Sequence, residues 1–346
     1  MSSLLTTSSD FFGLDIGTTA VRLVQLSNTG GQKTLMKYAY VPVSGKLAIS
    51  DSKADQDKLG QIIRQLVGQA NITTKSVAVG IPSNRVFTTV ADVDRLPAGE
   101  LAKAIHFQAD SLIPTPLVES KIDWALLGDS PADTTKEEIL LTSVPNKFVE
   151  DRLDMLESIG LNVIAFEPDN LALARALATS DNSAQLILDV GDHSSDLVIV
   201  FMNKPHLTRS IPTGAEAIVR AASQNLNVDS KQAQEFVFKF GLSKEKLEGQ
   251  VFQAISGTVD LLVTEIEKSI KFFQTRYKGS KIGRIVVTGG ASVIPEFPLY
   301  IANKFSVEVE IGNAWRNVTY SRDRQNELAA LSNQFSVAVG LAEREP

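Results

Sequence analysis

The sequence carries one short pattern twice. Phe12-Gly13-Leu14-Asp15-Ile16-Gly17-Thr18-Thr19 runs into Ala20-Val21-Arg22-Leu23-Val24, and Leu186-Ile187-Leu188-Asp189-Val190-Gly191 runs through Asp192-His193-Ser194 into Ser195-Asp196-Leu197-Val198-Ile199-Val200. Each reads as an apolar strand ending in Asp-x-Gly, a tight turn with hydroxyls, and a second apolar strand. The aspartates at 15 and 189 lie 174 residues apart in a chain of 346, which is half its length. Duplication at that spacing implies two related halves, each presenting one hairpin. Gly17 and Gly191 let a ligand approach the backbone. Thr18, Thr19 and Arg22 in the first hairpin, Ser194 and Ser195 in the second, and the turn N–H groups can hold phosphate oxygens. Asp15 and Asp189 are the candidates to hold a metal through water. In isolation, either stretch also reads as an ordinary hairpin with a polar turn.

A third stretch, Arg284-Ile285-Val286-Val287-Thr288-Gly289-Gly290-Ala291-Ser292, is a buried-type strand entering a Gly-Gly turn and then a helix start. Backbone can pass close to adenine or ribose there, and a helix N-terminus favours phosphate. Composition narrows the field. The net charge of −6 without a Lys/Arg block gives no footprint for nucleic acid. The absence of cysteine excludes disulfides and thiolate metal sites, and a total of three histidines argues against a multi-histidine one. No apolar run approaches the ~20 residues of a membrane span. Residues 1–10 read as a flexible tail, not a signal peptide.

In chain order, strand-like alternation from Gln32 to Val43 precedes a helical stripe from Asp57 to Ala70 and a buried strand from Ser76. Between 87 and 164 the pattern is strand, helix from Pro97 to Ala109, two strands at Ile122–Leu127 and Glu138–Val144, and a helix from Lys147 to Ile159 closed by Gly160. Ile113-Pro114-Thr115-Pro116-Leu117 is a Pro-bounded loop, read either as a partner-recognition loop or as a plain connector. A helix is expected from Phe166 to Ala178, with Glu167 and Asp169 at its N-terminus. Thr213 and Gly214 start a helix that meets either a phosphate or its own cap. In the helix Gln253–Tyr277, Glu265 and Lys268 share a face by i,i+3 spacing.

The ordered triple of motifs resembles the actin-like ATPase superfamily, which includes actin, Hsp70, sugar kinases and FtsA. There they are the phosphate-1, phosphate-2 and adenosine motifs. Glu167-Pro168-Asp169-Asn170-Leu171-Ala172, Glu265-Ile266-Glu267-Lys268-Ser269 and Thr288-Gly289-Gly290-Ala291-Ser292 resemble the PilM family of type IV pilus assembly in particular. The resemblance covers about Phe11 to Leu341. It implies a mixed α/β, duplicated ribonuclease H-like (actin-like) fold. The implied subdomains are 1A at 11–86 and 165–182, 1C at 87–164, 2A at 183–222 and 282–346, and 2B at 223–281, with 1C of the FtsA and PilM type.

It also implies ATP and Mg2+ in a cleft between the halves. Glu265 would lie at the ribose, Lys268 at the base, and Glu167 or Asp169 beside a hydrolytic water. The implied partner is the cytoplasmic N-terminal peptide of a PilN-like bitopic inner-membrane protein, held in a 1A–1C groove. Pilus motor ATPases and further copies of the chain are other partners in prospect. The protein would then be cytoplasmic and reach the membrane only through a partner. Arg22 stands where lysine is usual, and Asp192 adds a carboxylate beside the second turn, so binding is expected with at most slow hydrolysis. An FtsA-like filament former and a small-molecule kinase are the alternatives. The C-terminus lacks the basic amphipathic helix of the first, and no sugar motif supports the second.

Overall fold

The computed structural model describes residues 10–345. In chain order, β1 (Phe12–Ile16), β2 (Ala20–Thr29) and β3 (Gln32–Pro42) precede α1 (Gly45–Ile49), α2 (Lys53–Gln69) and β4 (Ser76–Ile81). Next come β5 (Phe87–Asp94), α3 (Ala98–Leu112), β6 (Ser120–Asp129), β7 (Lys136–Pro145), α4 (Asn146–Ser158), β8 (Asn162–Pro168) and α5 (Asp169–Leu177). Then follow β9 (Ala184–Val190), β10 (Ser195–Phe201), β11 (Lys204–Ile211), α6 (Ala215–Leu226), α7 (Ser230–Phe240) and α8 (Gln250–Arg276). The chain closes with β12 (Ile282–Thr288), α9 (Phe297–Phe305), β13 (Glu308–Ile311), β14 (Val318–Thr319), α10 (Gln325–Leu331) and α11 (Ser336–Ala342).

The chain divides into two compact units. One holds residues up to Arg85, Val144–Ala176 and the chain from Asn313; the other holds Val86–Ser143 and Leu177–Gly312. The first unit is built on a six-stranded sheet in the order β14-β3-β2-β1-β4-β8, the second on a five-stranded sheet in the order β11-β10-β9-β12-β13. In both, three antiparallel strands lead into two parallel ones: β1 pairs β2 antiparallel and β4 parallel, and β9 pairs β10 antiparallel and β12 parallel. The sequence duplication is therefore a duplication of sheets, with the Asp-x-Gly hairpin at the same position in each. Its strands are buried on both faces, as the uninterrupted apolar runs require. The second unit also carries a small sheet, β5-β7-β6, under α3.

Local chemistry sets the helices. The Ser52 side chain caps α2 by accepting from the Asp55 N–H, and Leu59, Ile63 and Leu66 repeat at helical spacing into the first core. Asp229 caps α7 in the same way. The insert keeps the expected order, but α4 packs its Met155 and Leu156 into the core of the first unit, while β5, β6, β7 and α3 stay with the second.

Two expectations are corrected. The helix expected from Phe166 begins only at Asp169; Asn162–Pro168 is the edge strand β8, because the residue before a proline is pushed out of the α region. The helix expected after Gly289-Gly290 is a single 3-10 turn over Gly290–Val293, and the next α-helix starts at Phe297. The tail expected over residues 1–10 lies outside the described residues except Asp10, whose carboxylate accepts from Gln25 at 2.7 Å.

Candidate functional site: two matched hairpin turns

In the first unit the register of β1 and β2 places Asp15 opposite Arg22. Their side chains are about nine-tenths buried and form an ion pair at 3.4 Å. The metal candidate and the cationic phosphate candidate thus neutralise each other. Burial pushes the Asp15 carboxyl above the usual carboxylate range, more than the Arg22 charge pulls it down. The turn itself is closed by Gly17 N–H donating to the Ala20 carbonyl at 3.1 Å. Thr18 is half-buried and Thr19 exposed, so hydroxyls face outward where the charges do not.

Glu167 and Asp169 have different surroundings. Glu167 is 3% exposed and accepts from both Arg175 and Arg344, the latter at 3.1 Å. Arg175 also donates to the Gly340 carbonyl at 2.6 Å, which ties β8 and α5 to α11. At the start of α5, Asp169 sits so close to β4 that a Cβ on Gly80 would lie 2.3 Å from its Oδ1.

The second unit repeats the turn. Gly191 N–H donates to the Ser194 carbonyl at 3.0 Å, the same i to i+3 closure as at Gly17. The start of α6 is folded onto this turn: Ala215 N–H donates to the Gly191 carbonyl and Glu216 N–H to the Asp192 carbonyl, both at 2.9 Å. Only glycine fits at 214, since a Cβ there would lie 2.4 Å from the Asp192 carbonyl oxygen. Ser195 is fully buried and donates to the Thr213 carbonyl at 2.6 Å, so its hydroxyl serves the fold while Ser194 stays half-exposed. His193 lies 2.6 Å from Glu216 through Nδ1.

The Gly-Gly turn joins this hairpin. β12 lies parallel to β9 with Thr288 opposite Asp189, and Gly289 at φ +85° brings its backbone onto the aspartate. A Cβ there would sit 2.1 Å from the Asp189 Oδ1. Gly290 faces open space, whereas Ala291 and Ser292 are buried and Ser292 donates to the Gly289 carbonyl at 2.8 Å. Glu265 and Lys268 pair at 2.7 Å on α8, and Arg209 of β11 reaches the same carboxylate at 2.5 Å. Arg209, like Arg175 and Arg344, is unmarked in the sequence: a lone arginine has no periodicity that names its partner.

Two sheets of one topology, each bearing an Asp-x-Gly turn in the same place, define a protein of the actin-like class. Solved structures agree. Ethanolamine utilization protein EutJ from Carboxydothermus hydrogenoformans matches with a TM-score of 0.57 at 15% identity, covering 96% of this chain and 88% of that one. MreB 5 of Spiroplasma citri bound to AMPPNP matches at 0.52 and 12%, covering 95% and 94%. At this identity these two speak to the fold alone. The chain belongs to the family of type IV pilus assembly protein PilM, whose model matches residues 13–345. A PilM-PilN type IV pilus biogenesis complex is similar over 98% of this chain and all of that one, at 25% identity and a TM-score of 0.83. The chain is accordingly an actin-like protein of type IV pilus assembly.

Among the described residues no helix is long and apolar enough to cross a membrane. Nor, among the described residues, is any group of three or more acidic or histidine side chains placed to hold a metal ion. Mg2+ needs only one or two carboxylates beside water and phosphate, so the single aspartate beside each turn fits that ion.

Proposed function

We propose that this protein binds ATP with Mg2+ and uses the bound state to tune its hold on the cytoplasmic N-terminal peptide of a PilN-like inner-membrane protein. The observation that carries the reading is the pair of matched Asp-x-Gly turns, one of them packed against the Gly-Gly turn through Asp189 and Gly289. Thr18, Thr19, Ser194 and the backbone N–H groups around Gly17 and Gly191 would take the phosphates. Gly290, with nothing beside its Cα, leaves room for a flat nucleoside over the Gly-Gly turn. Bound Mg2+ would offset the repulsion between phosphate and the carboxylates of Asp15 and Asp189.

Thr213, Gly214, Glu265, Lys268, Ala291 and Ser292 act in this reading as supports. The Thr213 carbonyl accepts from Ser195, Gly214 lets α6 close on the hairpin, Glu265 and Lys268 pair with each other, and Ser292 donates to the Gly289 carbonyl. Glu167 is neutralised by two arginines, which leaves Asp169 as the better candidate to orient a water. Hydrolysis is therefore slow or absent. The protein works in the cytoplasm, at the inner membrane, through its partner. A ligand shifts such a system only by binding its two conformations unequally, and the coupling is reciprocal.

The test is a titration with a fluorescent ATP analogue and Mg2+, comparing the parent with Asp15→Ala and Gly289→Val, with and without a PilN-type N-terminal peptide. Saturable binding that both substitutions abolish, and an affinity that the peptide shifts, is the expected result. Folded protein that binds no nucleotide would sink the nucleotide half of the proposal and leave a scaffold.

A further inference from the structure

On α4, Phe148 and Arg152 stand four residues apart and so share a face. The Arg152 guanidinium lies 5.5 Å from the centre of the Phe148 ring, and that of Arg85, from the turn after β4, lies at the same distance from it. All three residues belong to the first unit. Two arginines thus flank one aromatic ring.

Arg152 is the unusual one of the pair. It is 7% exposed, yet among the described residues no carboxylate pairs with it and no acceptor takes any of its N–H groups. Burial pulls its pKa down to about 10, with Asp51 acting against this and Arg85 adding to it. A buried guanidinium without an acceptor is unfavourable, and a group left in that state marks a missing partner. Its nitrogens differ in access. Nη1 is shut off from solvent, while Nε and Nη2, which make no hydrogen bond either, are not. That open edge carries two parallel N–H groups, the fork that grips a carboxylate side-on.

Arg85 is available to help. Its contact with Asp51 is no shorter than 3.4 Å, and the two side chains are 39% and 58% exposed, so the pair is weak and easily exchanged. Lys147, at the start of α4, is already paired with Asp151 at 2.7 Å. Two arginines against one aspartate leave a single positive charge unmatched. That suits a singly charged carboxylate better than a doubly charged phosphate, which Asp51 would repel more strongly.

We infer that this face of α4 binds a carboxylate, held on the open Nε–Nη2 edge of Arg152 and by Arg85 in exchange for Asp51. The carboxylate belongs either to a free small acid or to a glutamate or aspartate side chain of another polypeptide. The inference does not depend on nucleotide binding.

The test follows the arginine Nε–Hε resonances of the full chain by NMR as sodium acetate replaces sodium chloride at constant ionic strength. Acetate should shift the Arg152 resonance saturably. Arg85→Gln should weaken acetate about ten-fold, and Asp51→Asn, at an exposed position, should tighten it several-fold by removing the competitor. Arg152→Met exchanges a buried charge for an apolar chain, so it should fold and leave the Arg85 resonance unresponsive to acetate. The capped tripeptide Gly-Glu-Gly binding at least as tightly as acetate, with Gly-Gln-Gly silent, would identify a polypeptide side chain as the occupant. Acetate binding more tightly than the peptide would identify a free acid. No saturable shift, tighter binding of phosphate than of acetate, or an affinity unchanged by Asp51→Asn and Arg85→Gln would overturn the inference.

Discussion

Gly289 and Glu343 show how much a single residue decides in this protein. At φ +85°, with Asp189 Oδ1 2.1 Å from any added Cβ, Gly289 tolerates no side chain. Gly289→Ala is expected to destabilise the second unit by about 2 kcal/mol, combining a left-handed backbone with a clash, and denaturant unfolding would measure it. Glu343 is 1% exposed, one of its oxygens makes no hydrogen bond, and burial pushes its carboxyl up to about 7 despite the nearby Lys33 and Arg175 charges. The folded state therefore holds a proton that the unfolded state has released. Stability of the first unit should be fullest below about pH 4.5 on this account and should fall as pH rises to 7, by about 3 kcal/mol from this group. Glu343→Gln should flatten that slope, raising stability at pH 8 and leaving it unchanged at pH 4; a melt series across pH reads it. The Gly-Gly turn is legible in the sequence, but neither the Asp189 contact that forbids a side chain at Gly289 nor the proton held by Glu343 is. Glu343 looks like part of a short acidic C-terminus, and its burial comes from α11 packing against a sheet laid down more than three hundred residues earlier.

At the scale of elements, sequence reading succeeded where period and punctuation agree. The two hairpins, α2, α3 and the long α8 carry clear two-fold or 3.6-fold patterns between glycine, proline and capping residues. It failed at β8, where Glu167-Pro168-Asp169 looks like a helix start but Pro168 ends a strand. It also failed to foresee what holds the small sheet to α8. Arg276, in the last turn of α8, reaches Asp92 on β5 and Glu138 on β7, each at 2.5 Å. The buried Glu138 carboxyl is raised by desolvation, but hydrogen bonds from His206, Tyr277 and Arg276 outweigh this and hold it below the usual glutamate range. Removing one partner of a buried pair strands the other. Arg276→Ala is thus expected to cost about 2 kcal/mol, discounted for the partial exposure of Arg276, and to raise hydrogen exchange in β5 and β7 before β9 or β12. Uniform exchange across both sheets would argue against a local role.

For the whole molecule, the duplicated topology was readable because the Asp-x-Gly pattern recurs at half the chain length; the division of the insert between the units was not. Each unit has its own apolar core, one around Leu14, Leu23 and Val79 and the other around Leu188, Leu197 and Val287. Calorimetry of the ligand-free chain should therefore resolve two transitions. If both turns serve one nucleotide, ATP with Mg2+ at a hundred times its Kd should add about 2.7 kcal/mol in total. A shift confined to one transition would mean that only one turn takes part.

The Arg276 clamp bears on modularity. Residues 86–143 have a core of their own around Ile105, Ile139 and Leu141, so they resemble a cassette that could be lifted out or exchanged. Yet Asp92 and Glu138 would leave with the cassette, while Arg276, His206 and Tyr277 would stay behind. Grafted onto a host without a matching cation at the end of its long helix, the cassette would arrive with a buried negative charge and no counterpart. Swaps among related chains should succeed only when the cassette travels with the end of α8 and the strand β11.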